Sequence, residues 1–213
     1  MLFDVHTYPL CRLLNDFFPA KVGTLNRSSF REINSAIKTL EHHDYFTFRH
    51  SLNVARLSGI LARDLGLNQA EIWNISLGGL FHDYGKKRIN SSILNKPGKL
   101  TFEEWEIMKK HPQEGTLLLS HNHWAKDLLP IVAYHHERID GNGYLGLSGH
   151  SIPLFAKIVS IADAFDAMTS PRTYQPALSL AQSWEELERN SGTQFEKCLI
   201  EPFIDITVKI FEK

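Results

Sequence analysis

The chain is poor in features that would anchor it outside a reducing, aqueous compartment. It has only two cysteines in 213 residues, Cys11 and Cys198. So few thiols, so far apart, exclude a disulfide-stapled scaffold and read as two reduced side chains. No apolar run reaches the roughly 18 residues of a membrane-spanning helix, and the opening Met1-Leu-Phe-Asp-Val-His lacks the basic start of a secretory leader. A cytoplasmic location without membrane attachment is the expectation. Net charge is nearly absent as well: 23 basic against 24 acidic residues leave −1. That gives no overall attraction for DNA or RNA polymers, so an anionic partner must be drawn by local charge. Internal repeats and the alternating pattern of half-buried strands are also missing.

What remains is a sequence for one compact helical unit. With 43% hydrophobic and 22% charged residues, the chain can bury a sizeable core within the single-domain size range. Apolar residues at three- and four-residue steps predict helices over 28–44, 50–65, 69–83, 101–110, 112–121, 127–138, 153–169, 179–190 and 193–211. Thr101 with Glu104 and Thr193 with Glu196 read as capping boxes. Pro112, Pro130 and Pro153 suit first helical turns, whereas Pro202 should break or kink the last helix. The fold class is therefore all-α.

Polar residues interrupt the buried stripes of these helices at particular places. His50 shares a stripe with Val54, Leu57, Leu61 and Leu65, so it points inward. His82 and Asp83 extend the stripe of Ile72, Ile75 and Gly79, Asp163 that of Phe155 and Val159, and His135 and His136 a run with Leu128, Leu129, Ile131 and Val132; His111 opens a further helix before Pro112. A single histidine on an apolar face is more often a hydrogen-bonded core residue than a ligand. Seven inward ionisable positions are different, because burying them unpaired would cost several kcal/mol, and metal ions are the usual compensation. The adjacent pair His82-Asp83 lets one turn supply an imidazole to one cation and a carboxylate that can bridge two.

From about Thr39 to about Phe203 the sequence resembles the HD-GYP domains, a branch of the HD metal-dependent phosphohydrolases associated with cyclic dinucleotide breakdown. The matching stretches are His50-Ser-Leu-Asn-Val-Ala, His82-Asp-Tyr-Gly-Lys86, Ile93-Leu-Asn-Lys-Pro-Gly-Lys-Leu100, His111-Pro, His135-His-Glu-Arg138, Asp140-Gly-Asn-Gly-Tyr-Leu145, Ile152-Pro-Leu, Ala162-Asp-Ala-Phe-Asp-Ala-Met-Thr-Ser170 and Gly192-Thr-Gln-Phe195. The resemblance implies an HD-domain helical bundle with an additional C-terminal helical extension, spanning 39–213 behind a short helical extension over 1–38. It implies two divalent cations, one held by His50, His82, Asp83 and Asp163 and the other by Asp83, His111, His135 and His136. Iron or manganese is expected, and the imidazole-rich ligands also admit nickel or zinc. A hydroxide bridging the two cations would be the nucleophile. Lys86, Gly143, Tyr144 and Arg172 would contact the substrate, with Asp83, Lys86 and Tyr144 taking part in the chemistry.

Three departures from the family pattern bear on function. Gly143-Tyr144-Leu145 replaces the signature Gly-Tyr-Pro, which removes the fixed φ of proline and predicts a looser loop. Phe46 stands where some members have a glutamate for a third metal, so two metals are expected. Gln175 stands where many carry a phosphate-binding arginine, which should weaken substrate binding and leave Arg172 with that task. The glycine-rich segment 139–152 is read as the substrate-side loop, and His42, His43, His121, His123 and His150 as surface or loop histidines. Three functions fit: a cyclic di-GMP phosphodiesterase with linear pGpG or GMP as its end product, a hydrolase of a mixed cyclic dinucleotide or another nucleotide phosphoester, and a non-catalytic cyclic-dinucleotide-binding module. Regulation would come from a protein partner or a homo-oligomer.

Overall fold

The computed structural model describes residues 27–170 and 176–212. Ten α-helices are found there: α1 (Arg27–His43), α2 (Tyr45–Asp64), α3 (Gln69–Phe81), α4 (Ser91–Leu94), α5 (Phe102–Met108), α6 (His111–Leu119), α7 (Leu129–Tyr134), α8 (Leu154–Thr169), α9 (Leu180–Arg189) and α10 (Lys197–Phe211). Short 3-10 turns run over Tyr84–Arg88, His123–Leu128 and Gly149–Ser151. No strand occurs among the described residues; an isolated bridge joins Ser191 and Phe195. The fold is all-α.

α2 and α3 form the central pair, and α8 packs across both. Gly79 lets the central pair approach closely, because a Cβ there would lie 3.0 Å from the Ala55 backbone. Fully buried Phe81, Leu61, Ile75, Leu80 and Phe165 fill the space between these helices. α7 lies against α3 and α8, and α6 against α7 and the 84–88 turn. α9 and α10 follow as the C-terminal extension. α10 packs on α2 and α8, with Phe203 set against Phe165 at 5.3 Å between ring centroids. α1 packs on α2 through Phe30, Ile33, Ile37 and Leu40 and runs unbroken through residue 38.

Several helix boundaries differ from the pattern-based expectation. α2 begins at Tyr45, five residues before His50, because the Asp44 carboxylate caps it by accepting from the Thr47 amide at 2.9 Å. α3 ends at Phe81, before His82. The helix expected over 127–138 is split into a 3-10 turn and the short α7, so His135 and His136 follow its end. Thr193 and Glu196 do not form a capping box. Gly192 takes a left-handed φ of 77°, Glu196 pairs with Lys157 at 2.8 Å, and α10 starts only at Lys197. Capping boxes do close at Thr101/Glu104, Asn68/Glu71 and Ser179/Gln182. Pro112 and Pro130 lie in first turns, and Pro153 is an N-cap. α10 continues through Pro202, the sixth of its fifteen residues. So near the start of a helix the missing amide removes a single intrahelical bond.

Candidate metal centre

The bundle gathers polar side chains from five helices or their ends around the α3 C-terminus. His50 comes from the second turn of α2, and His82 and Asp83 from the end of α3. His111 is the first residue of α6, His135 and His136 follow α7, and Asp163 sits within α8. Two sets of ligand atoms each lie within 4.8 Å of one another: Asp83, His111, His135 and His136 in one, and His50, His82 and Asp83 in the other. Asp83 belongs to both. Asp163 borders the second set, with its Oδ1 2.9 Å from His50 Nε2 and 3.8 Å from His82 Nε2.

Hydrogen bonds on the far side of each ring fix which nitrogen faces the centre. His82 Nδ1 donates to the Gly79 carbonyl at 2.7 Å, His111 Nδ1 to Met108 at 2.8 Å and His135 Nδ1 to Val132 at 2.9 Å. A carbonyl only accepts, so in each neutral ring the proton is on Nδ1 and Nε2 carries a lone pair. His50 Nδ1 is likewise engaged by the buried Asp166 carboxylate at 2.7 Å, which also accepts from Asn53 at 2.8 Å. Such outer partners orient metal-binding imidazoles.

The inward atoms fit a cation. His111 Nε2 and His135 Nε2 lie 3.3 Å apart, two lone pairs directed at one space. His82 Nε2 and Asp83 Oδ1 are buried without an aligned hydrogen bond, although His111 Nε2 is only 3.1 Å from that oxygen. Buried acceptors in this arrangement are costly unless positive charge lies between them. The donors, imidazole nitrogen and carboxylate oxygen with no thiolate among them, suit first-row divalent ions.

Electrostatics of the metal-free cluster agree. Burial would raise the Asp83 carboxyl, but the neighbouring His82, the Lys86 ammonium and the bond with His111 hold it well below the usual range. Burial also opposes ionisation of Asp163, and its hydrogen bond with His50 and the field of His82 overcome that. Burial pulls His50 down, yet the bonds to Asp163 and Asp166 win and hold it up at about 9. A proton shared between His50 Nε2 and Asp163 thus does part of a cation's work. His136 is pushed down to about 3 by burial and by His111, and His135 well below its ordinary value by burial and its three histidine neighbours. Both rings are neutral near pH 7, as ligands must be.

Around the cluster, Lys86 Nζ donates to Asp83 Oδ2 at 2.5 Å. The Tyr144 ring lies over His136, centroids 4.5 Å apart at 34°, and burial together with Asp83 and Asp163 raises its hydroxyl well above the ordinary value. The 139–152 loop follows the two histidines directly and turns at Gly141 and Gly146, with φ of 79° and 78°. Gly143 lies against the chain that precedes it, where a Cβ would come within 2.6 Å of Glu137 Cα.

Two residues with evident positioning roles were not singled out from sequence. Asp166 orients His50. Glu137, buried beside the loop, accepts from the Leu145 and Leu147 amides at 2.7 Å each. Both were within quoted motifs, and the three-residue step from Asp163 to Asp166 was the available signal for the first. Gly192-Thr-Gln-Phe195 proves to be a clamp for the loop's start: the Thr193 carbonyl accepts from Asp140 N at 2.8 Å, and Gln194 Oε1 from Arg138 at 2.8 Å. His42, His43, His121, His123 and His150 are all exposed. Phe46 is exposed too, at 81%. Arg172, Gln175 and Cys11 lie outside the described residues.

Comparison with known proteins gives the family of the chain. The HD domain family model matches residues 34–199. A cyclic di-GMP phosphodiesterase of Thermotoga maritima is 39% identical over 173 residues, covering 80% of this chain and 47% of its own. A 3'3'-cGAMP-specific phosphodiesterase of Vibrio cholerae is 36% identical, covering 85% of this chain and 35% of its own. Among solved structures, an HDG"Y"P protein from Bdellovibrio bacteriovorus superposes with a TM-score of 0.63 at 28% identity, over 76% of this chain and 52% of that one. The chain belongs to the HD domain family, in its HD-GYP branch. It spans about half or less of the length of these curated relatives. The family binds divalent metal, and this chain has a His/Asp cluster suited to it. Among the described residues no helix is long and apolar enough to cross a membrane.

Proposed function

We propose that this chain is a metal-dependent phosphodiesterase that opens a cyclic dinucleotide, cyclic di-GMP in the first instance, with linear pGpG or GMP as the end product. The observation that carries the reading is the shared position of Asp83 in both ligand sets. His50, His82, Asp83 and Asp163 would hold one divalent ion and Asp83, His111, His135 and His136 the other, with iron or manganese the metals we favour. When bound, two such ions supply an activated water and a positive clamp for in-line displacement at phosphorus.

The chain's own residues prepare the phosphodiester for attack. Lys86, already within hydrogen-bond reach of the centre through Asp83, can turn its ammonium to a phosphoryl oxygen as negative charge develops there. The raised Tyr144 hydroxyl keeps its proton at neutral pH, so it acts as a hydrogen-bond donor toward the phosphate and does not serve as a base. Gly143 allows the loop backbone to lie close to the cluster, and Glu137 holds the loop in that position through two amides. Arg172 is proposed as a further phosphate contact. A soluble cytoplasmic enzyme with no nucleic-acid polymer as partner, regulated through a protein partner or self-association, completes the proposal.

The mixed ring is a second substrate reading, because a relative named for 3'3'-cGAMP is 36% identical to this chain. Product analysis after incubation of metal-loaded protein with cyclic di-GMP and with cyclic GMP-AMP tests both. Linear product from the first supports the main reading, and a preference for the mixed ring supports the second. Metal-loaded protein that binds either ring without cleaving it would leave a binding module.

A further inference from the structure

α5 is built firmly yet contributes nothing to the core. None of its seven residues is buried, and Phe102, Trp105 and Ile107 are exposed. Its start is closed by the Thr101/Glu104 capping box, and Lys96 reaches Glu104 at 2.6 Å. At its end the Met108 carbonyl accepts from the His111 ring. The helix is therefore tied to the cluster while its large apolar side chains stay in water.

Trp105 is the part of α5 that meets the site. Its ring stands edge-on to Tyr144, centroids 6.0 Å apart at 86°, and Tyr144 lies over His136. The rings thus lead outward from a cluster histidine through Tyr144 to an indole that is 43% exposed. A base joined through ribose to a phosphate at the cluster must lie to one side of it. Exposed indole continuous with the site is the surface such a base can use, because every purine has a π-face to stack. A protein partner would instead meet a patch on an outer face, whereas this path of rings ends on His136.

We propose that Trp105, edge-on to Tyr144 at the rim of the histidine cluster, is the stacking surface for a purine base of the nucleotide diester. This rests on the phosphodiesterase reading and adds a base subsite to it.

The test uses the metal-loaded full chain as wild type, Trp105→Ala and Trp105→Phe. Steady-state cleavage of cyclic di-GMP is measured with GMP, ribose 5-phosphate and inorganic phosphate as inhibitors. Trp105→Ala should raise KM for the ring and the inhibition constant of GMP by about ten- to hundredfold, with kcat little changed. Inhibition by ribose 5-phosphate and phosphate should not move, and Trp105→Phe should recover much of the loss. GMP should quench wild-type tryptophan fluorescence, and that quench should vanish in Trp105→Phe. An unchanged KM in Trp105→Ala, or an equal loss for GMP and ribose 5-phosphate, would overturn the proposal while leaving the phosphodiesterase reading intact. A wild type that cleaves no cyclic dinucleotide would remove that reading, and the base subsite would then stand or fall on the GMP quench. Should Trp105→Ala fail to fold, a GMP quench that persists in Trp105→Phe overturns the subsite.

Discussion

His111 and His135 point their Nε2 atoms at each other across 3.3 Å, while each ring's Nδ1 is committed to a backbone carbonyl. While both rings are neutral, neither nitrogen can donate to the other without giving up that bond, so the pair is stable only with positive charge between or beside it. The same logic extends through Asp83 to His82 and gives the site its demand for cations.

Asp166 controls that demand at His50. An Asp166→Asn substitution can keep the bond from His50 Nδ1 only by turning an amide NH2 toward the donor Asn53. Metal affinity should fall by about ten- to hundredfold. Competition with a calibrated chelator measures it, and an unchanged affinity would mean that His50 needs no orienting partner.

Glu137 acts on the loop and not on the metals. In Glu137→Ala the Leu145 and Leu147 amides lose their carboxylate acceptor, so hydrogen exchange at both should accelerate. Misplacing Tyr144 should lower kcat by up to about a hundredfold with metal content unchanged. Glu137→Gln, which keeps one acceptor oxygen, should recover part of the rate.

Gly85 tests how the turn after Asp83 is packed. A Cβ there would lie 1.9 Å from the His111 carbonyl oxygen and 2.4 Å from Gly115 N, both backbone atoms. Gly85→Ala should therefore destabilise the fold by about 3 kcal/mol, a fall of about 10 °C in Tm for a chain of this size. A melting temperature equal to wild type would show that the turn can move freely.

The neutral histidines make the metal-free protein acid-labile. His136 is lowered to about 3 and His135 well below its ordinary 6.5, so below about 6.5 the unfolded chain binds protons that the fold refuses. The unfolded state then carries more protons, and stability rises with pH between about 4.5 and 6.5. Each group contributes about 1.4 kcal/mol per pH unit in the lower part of that window. Denaturant unfolding with chelator present should show this slope, and His136→Asn should flatten it by about half.

Much of the site was legible because metal binding needs ionisable side chains on apolar stripes, a pattern that stands out against ordinary helices. His50, His82 and Asp163 could be read inward from their neighbours at three- and four-residue steps. Less legible were features set by competition between local signals. Thr193 and Glu196 have the spacing of a capping box, but the left-handed turn at Gly192 and the Lys157 ion pair take those residues elsewhere. Asp44 was the overlooked cap that starts α2 a turn before His50. Trp105 escaped notice because an exposed aromatic on a short helix gains meaning only when Tyr144 is seen beside it.

The central claim is that one carboxylate joins two metal sites, and metal content tests it most directly. Protein purified without chelator or affinity metal, and reconstituted anaerobically with iron or manganese, should hold about two ions per chain. Asp83→Ala, with helical content intact by circular dichroism, should hold almost none and turn nothing over. Retention of the full complement of metal by Asp83→Ala would contradict the account.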